Sequence, residues 1–204
     1  MPIRVDHDER RREVGDIACR LIARAGIEAV TFRDIAREAG CSTRIVSHYF
    51  HSKRELLLYV FLETAGRSLA DCETALASGA GVAEALEHVL PLDETRRRFW
   101  QVWLAFWGKI AEDPEFRDAQ MERARGMRDL IERLLAASGN GATAAELRFE
   151  SDRLLTAVIG IATQGVFDPD TWTAERQRRH LDAEIAALRR DRDSRLPGNE
   201  TSVT

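Results

Sequence analysis

Cysteine is scarce in this chain of 204 residues: Cys19, Cys41 and Cys72 are odd in number, far apart and in no C-x-x-C pair. That spacing excludes a disulfide framework and a zinc ribbon. No apolar run approaches the ~20 residues of a membrane span, and no leader pattern opens the chain, so a reduced cytoplasmic setting is expected. Strand signals are nearly absent, because no stretch alternates polar and apolar residues with β-branched enrichment. Lysine is almost missing too: Lys53 and Lys109 are the only two among 30 basic residues. With 44% hydrophobic and 31% charged residues the composition is that of a globular protein able to build its own core.

The net charge of −4 conceals an asymmetry. Residues 1–70 hold 12 Lys and Arg against 10 Asp and Glu, whereas residues 71–204 hold 18 against 24. Only the front third is suited to approach phosphates.

What fills the chain is helical periodicity. Val14, Ile17, Ala18, Leu21, Ile22 and Ala25 make a buried stripe that Gly26 ends. Further helices are expected from Val82 to Val89, from about Glu94 to Ala111, from Asp113-Pro114 onward, and over roughly 144–166 and 173–190. Ser138 to Gly141 is the clearest loop, and residues from about 191 have too little apolar content to fold. The total is an all-α chain of about nine helices with no internal repeat. The helix from Glu94 is apolar over so wide an arc that it must be covered on several sides.

The densest signals lie in residues 31–50. Thr31 can cap a helix with Asp34 three residues on, and Ile35, Ala36 and Ala39 give that helix a core face. Gly40 ends it in a conformation that glycine adopts cheaply, and Ser42 is placed to cap a second helix. A linker of about three residues forces a steep crossing, the helix-turn-helix arrangement. In the second helix Ile45, Val46, Tyr49 and Phe50 are placed to anchor it, with Cys41 in a buried slot beside the turn. Thr43, Arg44, Ser47 and His48 are offered outward at a width that suits the ~12 Å major groove. Thr31 and Arg33, and Lys53 at the next helix start, can meet phosphates. The spacing by itself serves equally a helical hairpin with a solvated polar face.

The stretch from about Asp8 to Leu57 resembles the DNA-binding domain of the TetR family of repressors. The likeness is carried by Thr31, Phe32, Ile35, Ala36, Ala39, Gly40, Cys41 and Ser42, then by Ser47, His48, Tyr49, Phe50, Ser52, Lys53 and Leu56. Ser47 departs from the tyrosine many members carry. Ser47 to Phe50, Pro91 to Trp107, and Phe167 to Thr173 resemble the BetI branch, named for a choline-responsive regulator of betaine synthesis. Together these matches sample most of residues 8–190.

The resemblance implies a DNA-binding domain over residues 8–68, a ligand-binding and dimerisation domain over 69–190, and a disordered tail over 191–204. It implies a homodimeric repressor on a near-palindromic double-stranded operator, released by a small-molecule effector, with no enzymatic activity, cofactor, metal or membrane association. Thr43, Arg44, Ser47 and His48 would face the groove, and Thr31, Arg33, Tyr49 and Lys53 the DNA backbone.

The family pairs the last two long helices of each subunit. Here these offer Leu154, Leu155, Val158, Ile159 and Ile161 beside Ala157, Gly160, Ala162 and Gly165, then Leu181, Ile185 and Leu188. Those stripes serve a partner or the subunit's own core equally well. Trp100, Trp103 and Trp107, with Phe99 and Phe106 beside them, are the candidate ligand lining, and core packing is the other reading of the same aromatics. No acidic residue is interleaved with them, which weighs against a cationic ligand.

His48 and His51 are spaced for a metal but lack a third ligand, and Arg96 to Arg98 are expected at a solvated or salt-bridged edge. No catalytic triad, P-loop or dinucleotide fingerprint is present. A helical carrier or enzyme that uses the Trp-lined cavity without binding DNA is the alternative.

Overall fold

The computed structural model describes residues 7–139 and 141–194. Among them the chain is all α: α1 His7–Ala25, α2 Phe32–Glu38, α3 Thr43–Tyr49, α4 Lys53–Ala77, α5 Val82–Glu87, α6 Glu94–Ala105, α7 Trp107–Glu112, α8 Pro114–Ala137, α9 Ala144–Phe167 and α10 Ala174–Asp193. No helix among these residues is long and apolar enough to cross a membrane. All three cysteines are free.

Helix boundaries follow side-chain chemistry. Asp93, Asp113 and Thr173 each accept a backbone N–H in the first turn of α6, α8 and α10, and Pro114 occupies the start of α8, where its missing N–H costs nothing. Thr143 and Glu146 form a reciprocal capping box at α9.

One continuous helix was expected from Glu94 to Ala111, but the chain breaks at Phe106. Phe106 is fully buried, stacked 5.5 Å from Phe116 at 21° and 5.4 Å from Phe61. Pinning that ring re-aims the following turn, and Gly108 has open space around it. Residues expected to be unfolded from 191 instead begin as helix, since α10 runs to Asp193; the rest of that tail lies outside the described residues.

The helices form two groups that share α4. α1 packs on α2, α4 and α6, and α3 packs on α2, while α8 packs on α4, α7 and α9, and α10 packs on α9 and α5. The boundary expected near residue 68 falls inside α4, which runs on unbroken. Gly15 of α1 makes this join close: a Cβ there would lie 2.5 Å from the Tyr59 ring.

Leu154, Leu155, Val158 and Ile161 of α9 and Leu181, Ile185 and Leu188 of α10 are all buried within the single chain. Both stripes are therefore spent internally. The α9 face left over carries Phe149, Thr156, Gly160 and Phe167, all exposed.

At the far end of α9, the buried Glu150 carboxylate accepts from Arg192 Nε at 3.2 Å and from its Nη2 as well. Removing one member of a desolvated pair strands the other charge, so Glu150→Ala should destabilise the fold by ~3–5 kcal/mol, whereas replacing both Glu150 and Arg192 with Met should be near neutral. Chemical denaturation of the two variants checks this. A single variant as stable as the double would show that the pair is not desolvated.

Candidate nucleic-acid interface and adjoining cavity

The interface begins with the cap of α2. The Thr31 hydroxyl donates to Asp34 Oδ2 at 2.5 Å and accepts from the Asp34 N–H at 3.2 Å, while the Thr31 N–H donates to the same carboxylate at 3.3 Å. This capping box orients the N-terminus of α2 and the exposed Arg33 behind it. α2 then closes with Gly40 at φ +63°, where the Gly40 N–H bonds the Arg37 carbonyl and the Cys41 N–H bonds that of Ala36. The pair of bonds is a Schellman motif, and it sets the direction in which α3 leaves. Ser42 starts α3 but its side chain makes no capping bond, contrary to expectation.

α3 is anchored by Val46 and Phe50, both fully buried. Ile45 was expected beside them and is instead 45% exposed. It borders a groove with Arg10, Val14, Cys41, Arg44 and Tyr49. Seven residues make too short a helix to bury three successive rows, and α2 is the helix packed against it. Cys41 is likewise only partly buried.

Thr43, Arg44, Ser47 and His48 are all exposed, with the Ser47 hydroxyl donating to the Arg44 carbonyl at 3.1 Å. Tyr49 is partly buried, 4.8 Å from the His7 ring and 5.2 Å from that of His48. His7, at the start of α1, completes this cluster from a region that carried no periodic or motif signal. Lys53 opens α4, and its ammonium donates to the Glu28 carbonyl at 3.2 Å. Lys109, on α7, reaches the Glu28 carboxylate at 3.4 Å, so the chain's two lysines meet on one acid.

Charge pairing sorts the arginines of this region. Arg10, Arg11, Arg20, Arg24, Arg37, Arg54 and Arg67 are all committed to carboxylates. Arg12 reaches only the Asp8 carbonyl, at 3.3 Å, and the guanidiniums of Arg33 and Arg44 hold no hydrogen bond or ion pair among the described residues and face solvent. Two unneutralised guanidiniums on one exposed surface, beside short polar side chains on α3, form a surface suited to phosphates and base edges.

Behind this surface a narrow cavity of about 10 Å³ lies between α4, α6 and α8. Its walls include Phe61, Thr64, Phe99, Trp100, Trp103 and Arg123. Of the five aromatics singled out in the sequence, Phe99, Trp100 and Trp103 therefore face it. Phe106 belongs to the core with Phe61 and Phe116, and Trp107 is half exposed beyond the helix break, edge-on to Trp103 at 5.4 Å. Arg123, on α8, drew no notice in the sequence because it sits among several arginines of an amphipathic helix. Arg96 to Arg98 lie at a salt-bridged edge, paired with Asp93 and Glu94.

A helix-turn-helix with an open polar recognition helix, joined through a shared helix to an all-helical body, defines a DNA-binding regulator. The comparisons agree with that class. Residues 16–60 match the family described as bacterial regulatory proteins of the tetR family, and residues 79–190 match the BetI-type transcriptional repressor C-terminal domain. The chain belongs to the TetR family and carries a C-terminal domain of the BetI type.

It is 29% identical over 193 residues to the HTH-type transcriptional regulator PksA of Bacillus subtilis, covering 92% of this chain and 94% of that protein. To BetI of Rhizobium meliloti it is 31% identical over 123 residues, 58% of this chain and 61% of that one. Among solved structures, a transcriptional regulator from Rhodococcus sp. Rha1 superposes with a TM-score of 0.77 at 24% identity, over 89% of this chain and 96% of that one. A regulator from Saccharomonospora viridis in complex with choline superposes with a TM-score of 0.72 at 25% identity, over 88% of this chain and 96% of that one.

The hydroxyl bond from Thr31 is the main cause that holds the Asp34 carboxyl below the usual carboxylate range, with Arg37 adding to it. A carboxyl lowered in the folded state stabilises above its unfolded value of ~3.9 and loses that contribution as pH falls through the folded one. Asp34→Asn should thus melt earlier than the parent at pH 7, and the gap should narrow steadily below pH ~4. Circular dichroism melts across that range test the point, and a gap independent of pH would mean that the charge on Asp34 does not hold the cap.

Proposed function

We propose that this TetR-family regulator acts as a homodimeric repressor in the cytoplasm, binding a near-palindromic operator and released when a small molecule enters the α4–α6–α8 cavity. The observation that carries the DNA-facing part is the pairing pattern: the guanidiniums of Arg33 and Arg44 stay open while Arg10, Arg20, Arg24 and Arg37 are neutralised. In this reading Thr43, Arg44, Ser47 and His48 enter the major groove. Thr31, Arg33, Tyr49 and Lys53 hold the flanking phosphates, and Lys53 exchanges Glu28 for a phosphate oxygen on binding.

The partner subunit seats on the leftover face of α9. Thr156, Gly160 and Phe167 lie there in helical register, and the buried Thr163 hydroxyl has no hydrogen-bond partner among the described residues. A second copy covers the exposed Phe149 and Phe167 rings and sets two recognition helices on one face of the duplex.

The route from cavity to DNA is short. A second, smaller cavity between α1 and α4 shares Thr64 and Phe99 with the first and is bounded by Gly15, Asp16, Cys19 and Tyr59. A ligand that displaces Phe99 moves the α6 surface on which α1 rests. A coupling of ~1–3 kcal/mol between the two sites suffices for release.

Arg44→Ala should weaken operator binding by ~1–3 kcal/mol and relax base preference at one position, whereas Lys53→Ala should weaken all sequences alike and lower the salt slope by about one. Fluorescence anisotropy on duplexes tiling the upstream region, at two salt concentrations, distinguishes them. Unchanged operator affinity in Arg44→Ala would remove α3 from the groove.

For the dimer, a side chain at Gly160 would meet nothing within 4 Å of its Cβ among the described residues beyond its own helix backbone, so Gly160→Arg should fold normally yet run as a monomer in sedimentation and lose the operator. A Gly160→Arg variant that remained dimeric would place the interface elsewhere.

A further inference from the structure

Resting on the reading that the α4–α6–α8 cavity is the effector site, we infer that its ligand is an anion: a small monocarboxylate with a flat apolar body, held at its charged end by Arg123. The effector is thus opposite in charge to the choline held by the Saccharomonospora regulator.

Arg123 lines the cavity and is partly buried, yet makes no hydrogen bond or ion pair among the described residues. Of its neighbours on α8, Arg125 is exposed to solvent and two others are paired with acids. Arg128 and Arg133 reach Asp152 and Glu73 at 2.6 and 2.8 Å across the surface. Desolvation with no compensating carboxylate pushes the Arg123 guanidinium down to about 10. A charge kept in such a place is costly unless something pairs with it, and the walls supply only the face of Trp103 and no anion, since no Asp or Glu lines the cavity.

The indoles are already occupied in ways that disfavour a cation. The Arg123 guanidinium lies 5.0 Å from the Trp103 ring centroid, in the seat a quaternary ammonium would take. Trp103 Nε1–H donates to Gln120 Oε1 at 2.9 Å and Trp100 Nε1–H to the Val89 carbonyl at 2.6 Å. Neither N–H is left for a ligand, so the tryptophans offer apolar ring surface alone. Trp100 and Trp103 meet edge-on at 4.8 Å and 84°, and with Phe61 and Phe99 they form angled walls for a flat body.

The guanidinium fork matches a carboxylate in bidentate geometry, and with a single arginine in the walls one negative charge is balanced. The enclosed space of about 10 Å³ is only water-sized as it stands, so the acid enters by displacing Phe99, which favours a compact acid over a long chain.

The test uses the full-length protein and three compounds of similar shape: benzoate, neutral benzamide and cationic benzyltrimethylammonium. Tryptophan fluorescence and thermal shift read binding, and operator anisotropy reads release. Benzoate should bind at least tenfold more tightly than benzamide and release the operator, with benzyltrimethylammonium and choline inert. In Arg123→Gln benzoate should fall to the benzamide level while benzamide is unchanged, and Arg123→Lys should recover part of the difference. If Arg123→Gln does not fold, the charge series on the unmodified protein decides alone. Equal affinity for benzoate and benzamide, or a preference for the cation, overturns the anion inference and leaves the effector cavity standing. No response to any of the compounds overturns the cavity reading and the inference with it.

Discussion

Helix α4 buries Leu56 and Leu57 in the core shared with α1 and, one turn later, Phe61 against Phe106 and Phe116. This run of apolar contact on one rigid rod is the constraint from which the rest of the architecture follows. It makes the DNA-binding domain and the body parts of a single packed unit. It pins Phe106 and so breaks α6 from α7, and it leaves beside Phe61 the cavity that Arg123 shares. Proteins pack at crystal-like density, so a side chain that changes position next to Phe61 must be felt along α4.

Charge is distributed by the same logic. Surface ion pairs contribute little to stability, ~0–1 kcal/mol each, so their value here lies in what they neutralise. Around the DNA-binding domain they neutralise most arginines and leave the side chains of Arg33 and Arg44 open to solvent. In the body Arg128, Arg133, Arg153 and Arg178 are paired with carboxylates across the surface, while Arg123 has none in the cavity. An overall acidic protein thereby keeps unpaired arginine both on its helix-turn-helix surface and, at Arg123, on the wall of an interior cavity.

Much of this was legible from the chain. The capping residues Thr31, Asp93, Asp113, Thr143 and Thr173, the glycine at 40 and the apolar stripes act within a few residues of themselves, and each helix except one lies where they imply. The exception, Phe106, is instructive: nothing local stops a helix there, and the break comes from stacking on Phe116 ten residues on. Ile45 was misplaced because periodicity tells which residues share a face and not how much of that face a neighbour covers. Trp107 was grouped with Trp100 and Trp103 by spacing that holds only while the helix is straight.

The sequence by itself determined the all-α class, the helix-turn-helix and the family, because these rest on local propensity, capping and a motif whose residues are contiguous. Only the tertiary structure decided which of several similar aromatics face a cavity, which stripes of α9 and α10 are consumed inside the subunit, and which arginines keep their charge unpaired. Those outcomes depend on contacts between residues tens of positions apart, and the pairing of Arg54 with Asp113 or Arg178 with Glu87 leaves no trace in either neighbourhood. Arg123 is the clearest case, one arginine among several along α8, set apart by the absence of any acid on the walls around it.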